Sequence, residues 1–174
     1  MKLEDHIRTI PDHPKPGIMF RDVTTLMAAP EAFAETIRRL AEPYSGKVDA
    51  VAGIEARGFI FGAPVAVALG VGFIPLRKPG KLPYATSSVE YELEYGTDAL
   101  HMHTDACGHP DRVLVIDDLI ATGGTALAAI KLLRDAGAVV EHAAFVVDLP
   151  DLPGAGRLRE AGVEVRALCA FGGH

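Results

Sequence analysis

The chain has 174 residues and a mass of 18.4 kDa, which fits one domain with a hydrophobic core of its own. Hydrophobic residues make up 49% and charged residues 23%, a balance that excludes an intrinsically disordered chain. Acidic residues outnumber basic ones by 23 to 17, so the formal net charge is −6. This charge argues against a protein that coats a nucleic-acid backbone. Any phosphate ligand must instead be bound locally, by a few well-placed groups.

The N-terminal half alternates between helical and extended patterns. Residues 2–9 predict a short amphipathic helix that Pro11 ends, and the prolines of residues 14–17 predict a loop. Pro30 opens a helix that runs to about residue 40, with acidic residues near its start and basic residues near its end, which suits the helix dipole. The next elements are predicted as a strand at 48–54, a helix at 58–69 and a strand at 71–76.

The C-terminal half continues the alternation after a predicted mobile loop over residues 78–88. Residues 89–95 and 99–103 predict an antiparallel pair. Residues 112–116 form a run of aliphatic and β-branched residues, typical of a strand that is covered on both faces. The remaining elements are predicted as a helix at 124–136, a strand at 139–147, a helix at 155–161 and a strand at 163–168. Strands that alternate with helices predict an α/β fold with a parallel sheet.

Two observations bear on where the protein works. The N-terminal residues lack the apolar segment of a secretory signal, and the two cysteines, Cys107 and Cys169, predict free thiols in a reducing, cytoplasmic compartment. Residues 58–76 carry no charge and are long enough to span a membrane. Pro64 and the glycines at 70 and 72 divide this stretch into a core helix and a core strand, so no membrane association is expected.

The segment 113–125 carries most of the chemistry. It predicts a buried strand that ends in two carboxylates, Asp117 and Asp118, followed by a loop of small residues and a helix. Ligands of open α/β sheets bind at this end of the strands. The glycines, threonine hydroxyls and backbone N–H groups of residues 121–125 can hold a phosphate at the helix N-terminus. Adjacent carboxylates suit sugar hydroxyls and nearby Mg²⁺, so the segment predicts a site for a phosphorylated ribose.

These residues also resemble a known family. The segment 113–125 resembles the phosphoribosyl-diphosphate signature of type I phosphoribosyltransferases. Three further stretches are similar to adenine phosphoribosyltransferases in particular: 16–24 to their purine-binding segment, 55–62 to their pyrophosphate loop, and 77–83 with 93–96 to their catalytic lid. The likeness runs from about residue 10 to the C-terminus, in the same order and with similar spacing.

The resemblance implies a fold, an assembly and a reaction. The fold is the type I phosphoribosyltransferase fold, in which helices flank a central, mostly parallel sheet. One domain spans residues 1–174, with a small N-terminal hood over about 1–29 and a flexible catalytic lid over about 78–98. The family is usually homodimeric, and it transfers a phosphoribosyl group from phosphoribosyl diphosphate to adenine, giving AMP and pyrophosphate. The expected cofactor is Mg²⁺, held through the substrate and near Asp117 and Asp118, with no ion held by the protein alone.

The resemblance also assigns roles to individual residues. Asp117 and Asp118 take the ribose hydroxyls, and Arg57 binds the diphosphate and takes part in catalysis. The residues expected to bind the 5′-phosphate are Ala121, Thr122, Gly123, Gly124 and Thr125. Those expected to bind the leaving pyrophosphate are Arg77, Lys78 and Lys81. Adenine is expected at Met19, Phe20 and Arg21, with Phe20 stacked on the ring. The remaining catalytic residues are Glu94, which handles the purine proton, and Tyr95. The peptide between Glu55 and Ala56 is often cis in this fold class.

Simpler interpretations stand beside these roles. Phe20 can be a core aromatic, Glu94 an exposed strand carboxylate, and the basic lid residues a solvated turn. Four residues after the lid suggest a zinc site, but their spacing fits no common zinc pattern and a surface hairpin is the simpler interpretation: His101, His103, Cys107 and His109. Two other functions are open as well, a phosphoribosyltransferase for xanthine, hypoxanthine or guanine, and a non-catalytic sensor of phosphoribosyl diphosphate.

Overall fold

The chain folds around a parallel β-sheet. The structure, a computed structural model, describes residues 1–93, 95–109 and 111–173. The strands are β1 (Arg8–Pro11), β2 (Met19–Asp22), β3 (Ala50–Ile54), β4 (Gly72–Leu76), β5 (Thr86–Glu92), β6 (Thr97–His103), β7 (Arg112–Ile120), β8 (Val139–Asp148) and β9 (Glu164–Ala170). Five of them form the central sheet in the order β4-β3-β7-β8-β9, and all of its neighbouring pairs are parallel. The predicted α/β class is therefore confirmed.

Helices cover both faces of this sheet. They are α1 (Thr24–Ala28), α2 (Pro30–Ala41), α3 (Arg57–Leu69), α4 (Gly124–Asp135) and α5 (Gly154–Glu160), with short 3-10 turns at Leu3–His6 and Glu42–Tyr44. Successive residues of a strand point to opposite faces, and β7 shows the result: Leu114 packs in the core under α2 and α3, whereas Val115 packs in the core under α4. Within the described residues, no helix is both long and apolar enough to cross a bilayer.

Two antiparallel hairpins stand outside the central sheet. β1 pairs with β2 next to the short N-terminal turn, and β5 pairs with β6 over the side that carries α4. The second hairpin confirms the predicted antiparallel pair, although β5 already begins at Thr86, inside the stretch predicted as a loop. The first hairpin corrects the predicted helix over residues 2–9. Helical structure there is limited to Leu3–His6, because the main chain from Arg8 onward bonds to β2 instead.

The topology brings three loops to one edge of the sheet. Because β3, β7 and β8 are parallel neighbours, their carboxyl ends lie side by side. The segments that leave them begin at Glu55, Ala121 and Leu149. This edge is the usual ligand site of an open α/β sheet.

Candidate functional site

The edge holds a cleft of about 220 Å³. Eight of the residues assigned to phosphoribosyl diphosphate line it together: Arg57, Asp117, Asp118, Ala121, Thr122, Gly123, Gly124 and Thr125. They come from the start of α3 and from the run that links β7 to α4. The aspartates lie within β7 and not after it, since β7 stays paired with β8 as far as Ile120.

The carboxylate pair and one arginine form the polar centre of the cleft. Arg57 Nε donates to Asp118 Oδ2 at 2.5 Å, and the Asp118 N–H donates to Asp117 Oδ1 at 2.9 Å. The bond to Asp118 and the charges of Asp118, Asp117 and Asp22 hold the pKa of Arg57 above its ordinary value. Burial, and then the charge of Asp118, raise the pKa of Asp117 well above its ordinary range. The cleft thus combines a fixed cation with a carboxyl group whose charged form is disfavoured by burial.

Gly58 explains how α3 reaches the carboxylates. A Cβ atom at this position would lie 2.8 Å from Asp117 Oδ1 and 3.1 Å from the Ile116 carbonyl oxygen. Both distances are shorter than ordinary contacts of a methyl group, so a larger residue would push the first turn of α3 away from β7. Gly58 therefore allows Arg57 to bond to Asp118 across the two elements.

The loop between β7 and α4 has the form of an anion cradle. Gly123 has φ +88°, a left-handed conformation that glycine adopts without strain, and the 12-residue helix α4 begins at Gly124. Unpaired backbone N–H groups at the start of a helix attract anions. A Cβ atom at Gly124 would meet nothing closer than the Glu92 carbonyl oxygen, 3.9 Å away. The space above Gly124 is therefore free to receive a phosphate group.

The residues of the pyrophosphate loop and the start of the lid are held by one another. The Glu55–Ala56 peptide is cis, as the resemblance implies. Glu55 Oε1 accepts from Arg77 Nε at 3.1 Å and from the Lys78 N–H at 2.7 Å. The Lys78 ammonium donates to Asp98 Oδ2 at 2.5 Å and to the Tyr91 hydroxyl at 2.6 Å. Partial burial lowers the pKa of Lys78, but these two bonds and the charges of Tyr91 and Asp98 together raise it by more, so the net shift is upward.

The remaining lid residues stand apart from the cleft lining. Lys81 is exposed in the connection between β4 and β5. Tyr95 is 85% exposed at the tip of the β5–β6 hairpin, where the Leu93 N–H donates to the Gly96 carbonyl at 2.9 Å. Glu94 lies outside the described residues, so its catalytic role stays a prediction.

The three residues expected to bind adenine lie on β2, in the N-terminal hairpin, and all are half-buried: Met19, Phe20 and Arg21. The Phe20 ring meets the His13 ring edge to face, with centroids 5.0 Å apart. The Arg21 guanidinium bonds to Thr9 Oγ1 at 2.6 Å and to the Gly172 carbonyl at 3.2 Å. Its side chain is therefore occupied in holding the hairpin to the C-terminal segment.

The histidines after the lid have separate partners. His101 Nδ1 lies 3.0 Å from Thr86 Oγ1, and His103 Nε2 accepts from the Tyr84 N–H at 3.4 Å. Cys107 is free, with its sulfur 4.0 Å from that of Met102. His109 lies beside Gly137, at the far end of α4. Among the described residues, no group of three His, Cys, Asp or Glu side chains is placed to hold a metal ion.

One supporting segment was not assigned any function from the sequence. It runs over residues 149–157, the connection from β8 into α5. Its backbone and one arginine donate hydrogen bonds to the phosphate loop, by which we mean residues 120–125. Gly154 and Arg157 make the closest contacts. Nothing in the local pattern of the sequence signals these contacts, because the partners lie more than 30 positions apart in the chain.

Fold and cleft together define an α/β protein with a carboxylate pair and an anion cradle at the carboxyl edge of a parallel sheet. A family model described as a phosphoribosyl transferase domain matches residues 22–160. An adenine phosphoribosyltransferase of Azorhizobium caulinodans is 59% identical over 169 residues, covering 97% of this chain and 94% of the relative. The chain belongs to the phosphoribosyltransferase family, and this relative is an adenine phosphoribosyltransferase within it.

Solved structures agree with this placement. The crystal structure of the adenine phosphoribosyltransferase of Thermoanaerobacter pseudethanolicus has a TM-score of 0.91 and 48% identity, covering 97% of this chain and 98% of that one. That of Saccharomyces cerevisiae, a complex with adenine and an imino-altritol bisphosphate, has a TM-score of 0.89 and 37% identity, covering 95% and 96%. The predicted resemblance to adenine phosphoribosyltransferases is therefore confirmed.

Proposed function

We propose that the chain transfers the 5-phosphoribosyl group from phosphoribosyl diphosphate to adenine, which gives AMP and pyrophosphate. The observation that carries the proposal is the cleft itself, in which the carboxylates of Asp117 and Asp118 and the anion cradle of residues 121–125 line one cavity. A ribose 5-phosphate carries two neighbouring hydroxyls and one phosphate, which these groups match. The yeast relative has been crystallised with adenine and a bisphosphate.

The ribose end of the substrate is positioned by three groups of the chain. Asp117 and Asp118 accept hydrogen bonds from the two hydroxyls of the ribose ring, and the N–H groups of residues 121–125 bind the 5′-phosphate. Holding both ends of the sugar fixes C1′ for in-line attack by adenine, so the protein meets the entropic cost of alignment at the binding step. Attack at C1′ inverts the configuration there as the bond to pyrophosphate breaks.

The leaving pyrophosphate develops negative charge that cations must balance. Arg57 lines the cleft, and we propose that Arg77, Lys78 and Lys81 join it when the lid closes. Lys78 would then exchange its bonds to Asp98 and Tyr91 for the diphosphate. Closure of residues 78–98 also excludes water, which would otherwise hydrolyse the activated sugar.

Magnesium is proposed as the cofactor, held mainly by diphosphate oxygens of the substrate. The donor set fits this arrangement, because the carboxyl groups of Asp117 and Asp118 both line the cleft and carboxylate oxygens suit Mg²⁺. When bound, Mg²⁺ supplies charge neutralisation at the leaving group. Chelation with EDTA should abolish turnover and Mg²⁺ alone should restore it. Restoration only by Zn²⁺ would contradict the assignment.

The base is proposed to bind at the β1–β2 hairpin. Phe20 would stack on adenine, and the main chain of Met19 and Arg21 would accept from its 6-amino group. Hypoxanthine, guanine and xanthine present an oxygen at that position. A site built from acceptors rejects such bases by about 10⁴-fold.

A pyrophosphate-release assay with the four bases tests the function directly. Release with adenine alone supports the proposal, and release with a 6-oxopurine alone would favour the alternative transferase. Binding of phosphoribosyl diphosphate without release for any base would favour the non-catalytic sensor.

A homodimer in the cytoplasm is the proposed state of the protein. The outer face of α3 carries two exposed aliphatic residues, Ile60 (39% exposed) and Val67 (81%), and such a face suits burial against a second copy. Both cysteines are free thiols, which agrees with a reducing compartment.

A further inference from the structure

The loop of the proposed phosphate site is held from outside by the segment 149–157. Three successive carbonyl oxygens of the chain accept hydrogen bonds from it. The bonds run from the Leu149 N–H to Ile120 (3.1 Å), from the Gly154 N–H to Ala121 (2.9 Å) and from Arg157 Nη1 to Thr122 (2.7 Å). The third donor is a side chain, and it reaches the carbonyl that directly precedes Gly123.

These bonds have a consequence for anion binding. Carbonyl oxygens carry partial negative charge and repel a phosphate, whereas N–H groups attract it. Bonds that hold the three carbonyls toward residues 149–157 keep those oxygens directed away from the cleft. The N–H groups at the start of α4 can then face the phosphate without reorganisation of the loop.

Close packing shows that the two segments fit each other tightly. A Cβ atom at Gly154 would lie 2.4 Å from the Ala121 carbonyl oxygen, and one at Gly123 would lie 2.9 Å from the Gly154 Cα. At Gly156, two residues further along α5, a Cβ atom would meet nothing within 4 Å. The loop therefore depends on this face of α5 and not on its outer face.

We propose that Arg157 is a positioning residue for the 5′-phosphate of phosphoribosyl diphosphate, acting by its bond to the Thr122 carbonyl, with Gly154 as the contact that allows the approach. The inference rests on the proposed function and adds to it a residue outside the cleft lining. Arg157 acts through the loop, so its loss should weaken the binding of the phosphate and leave the chemical step unchanged.

Steady-state kinetics of Arg157→Ala with both substrates varied provide the test. The KM for phosphoribosyl diphosphate should rise about tenfold, the effect of losing a hydrogen bond from a charged donor, with kcat and the KM for adenine unchanged. Calorimetry with ribose 5-phosphate as the probe should show the same loss of affinity. Arg157→Lys keeps the charge and a donor, so it should recover part of the affinity.

Arg159→Ala is the matched control, because Arg159 is exposed on the same helix and its loss changes the net charge equally. It should leave all constants unchanged. If both variants weaken binding equally, the effect is long-range charge and the proposal is wrong. Equal increases of both KM values in Arg157→Ala, or unchanged constants, would also overturn it.

A glycine pair gives a second, independent variant. Gly154→Ala should raise the KM for phosphoribosyl diphosphate, whereas Gly156→Ala should not. Equal effects of the two substitutions would contradict the packing argument. A failure of the proposed function would instead be seen in the wild-type protein, as a lack of binding or turnover of phosphoribosyl diphosphate.

Discussion

At the scale of single residues, Asp117 shows how the site trades stability for binding. Its carboxyl group has a raised pKa, so the native state holds the proton more tightly than the unfolded chain does. Below the ordinary value of 3.8, the group is neutral in both states and imposes no cost. As pH rises through the native pKa, stability is lost, and the loss is complete above it.

Asp117→Asn should therefore stabilise the free protein while it weakens binding. At pH 7.5 we expect a gain of about 1 kcal/mol, or ~3 °C in Tm, and about tenfold weaker binding of phosphoribosyl diphosphate. Thermal melts from pH 3 to pH 8 should show the gain appear only as pH rises. Asp105→Asn is the control, since it removes the same charge at an exposed position in the turn after β6 and should show no such gain. A gain that is independent of pH would contradict the assignment of the cost to Asp117.

Gly124 is a position at which a substitution should weaken ligand binding with little effect on folding stability. Because a Cβ atom there would have no contact closer than 3.9 Å, Gly124→Ala should change the free energy of unfolding by less than about 1 kcal/mol. In the complex, the added methyl group would occupy the space proposed for phosphate oxygens. The KM for phosphoribosyl diphosphate should rise about tenfold or more. Gly72→Ala, where a Cβ atom would meet nothing within 4 Å and which lies outside the cleft, should have no effect. An unchanged KM in Gly124→Ala would show that the cradle is elsewhere.

At the scale of elements, apolar runs made the central sheet predictable. The predicted strand of residues 112–116 coincides with the first half of β7, which continues to Ile120, and the predicted helix of 124–136 coincides with α4. Burial on both faces leaves a continuous aliphatic signal in such a strand. β2 was missed, since it is four residues long and ends in Arg21 and Asp22. Hydrogen bonds from Thr24 and then from Arg8 fix Asp22 and lower its pKa to about 2. Such a strand is held by its pairing with β1 and carries no apolar alternation.

The residues of the candidate site also differ in whether the sequence alone could predict them. Its cleft residues follow each other in the chain or begin a helix, so local motifs indicate them. Gly154 and Arg157 reach the phosphate loop only through the crossover that places α5 beside it. Contacts between distant segments leave no local pattern, which is why their contribution became visible only in the folded chain.

The catalytic role predicted for Glu94, in the lid that contains β5 and β6, can be tested by substitution. Glu94→Gln keeps the size of the side chain but removes its ability to take a proton. If this residue handles the purine proton, kcat should fall by about 10²-fold or more, while the KM for adenine changes much less. Glu90→Gln is the matched control, because Glu90 is exposed on β5 of the same hairpin. Unchanged turnover of Glu94→Gln at saturating substrates would return Glu94 to the role of a solvated carboxylate.

At the scale of the whole molecule, α3 connects the site with the proposed dimer. Arg57 begins this helix inside the cleft, and the same helix presents Ile60 and Val67 outward. These two residues are seven positions apart, about two helical turns, and therefore lie on one face. A second copy that covers this face would also restrain the helix from which Arg57 extends.

Val67→Glu should dissociate such a dimer, because it places a charge without a partner in an apolar interface. We expect association to weaken by about a hundredfold, the range found for central interface residues. Sedimentation velocity over a dilution series would measure it. Thr104→Glu is the control: threonine has nearly the shape of valine, and Thr104 is exposed at the end of β6. If the wild-type protein sediments as a monomer, or if Val67→Glu associates as tightly as the control, then α3 does not form the interface.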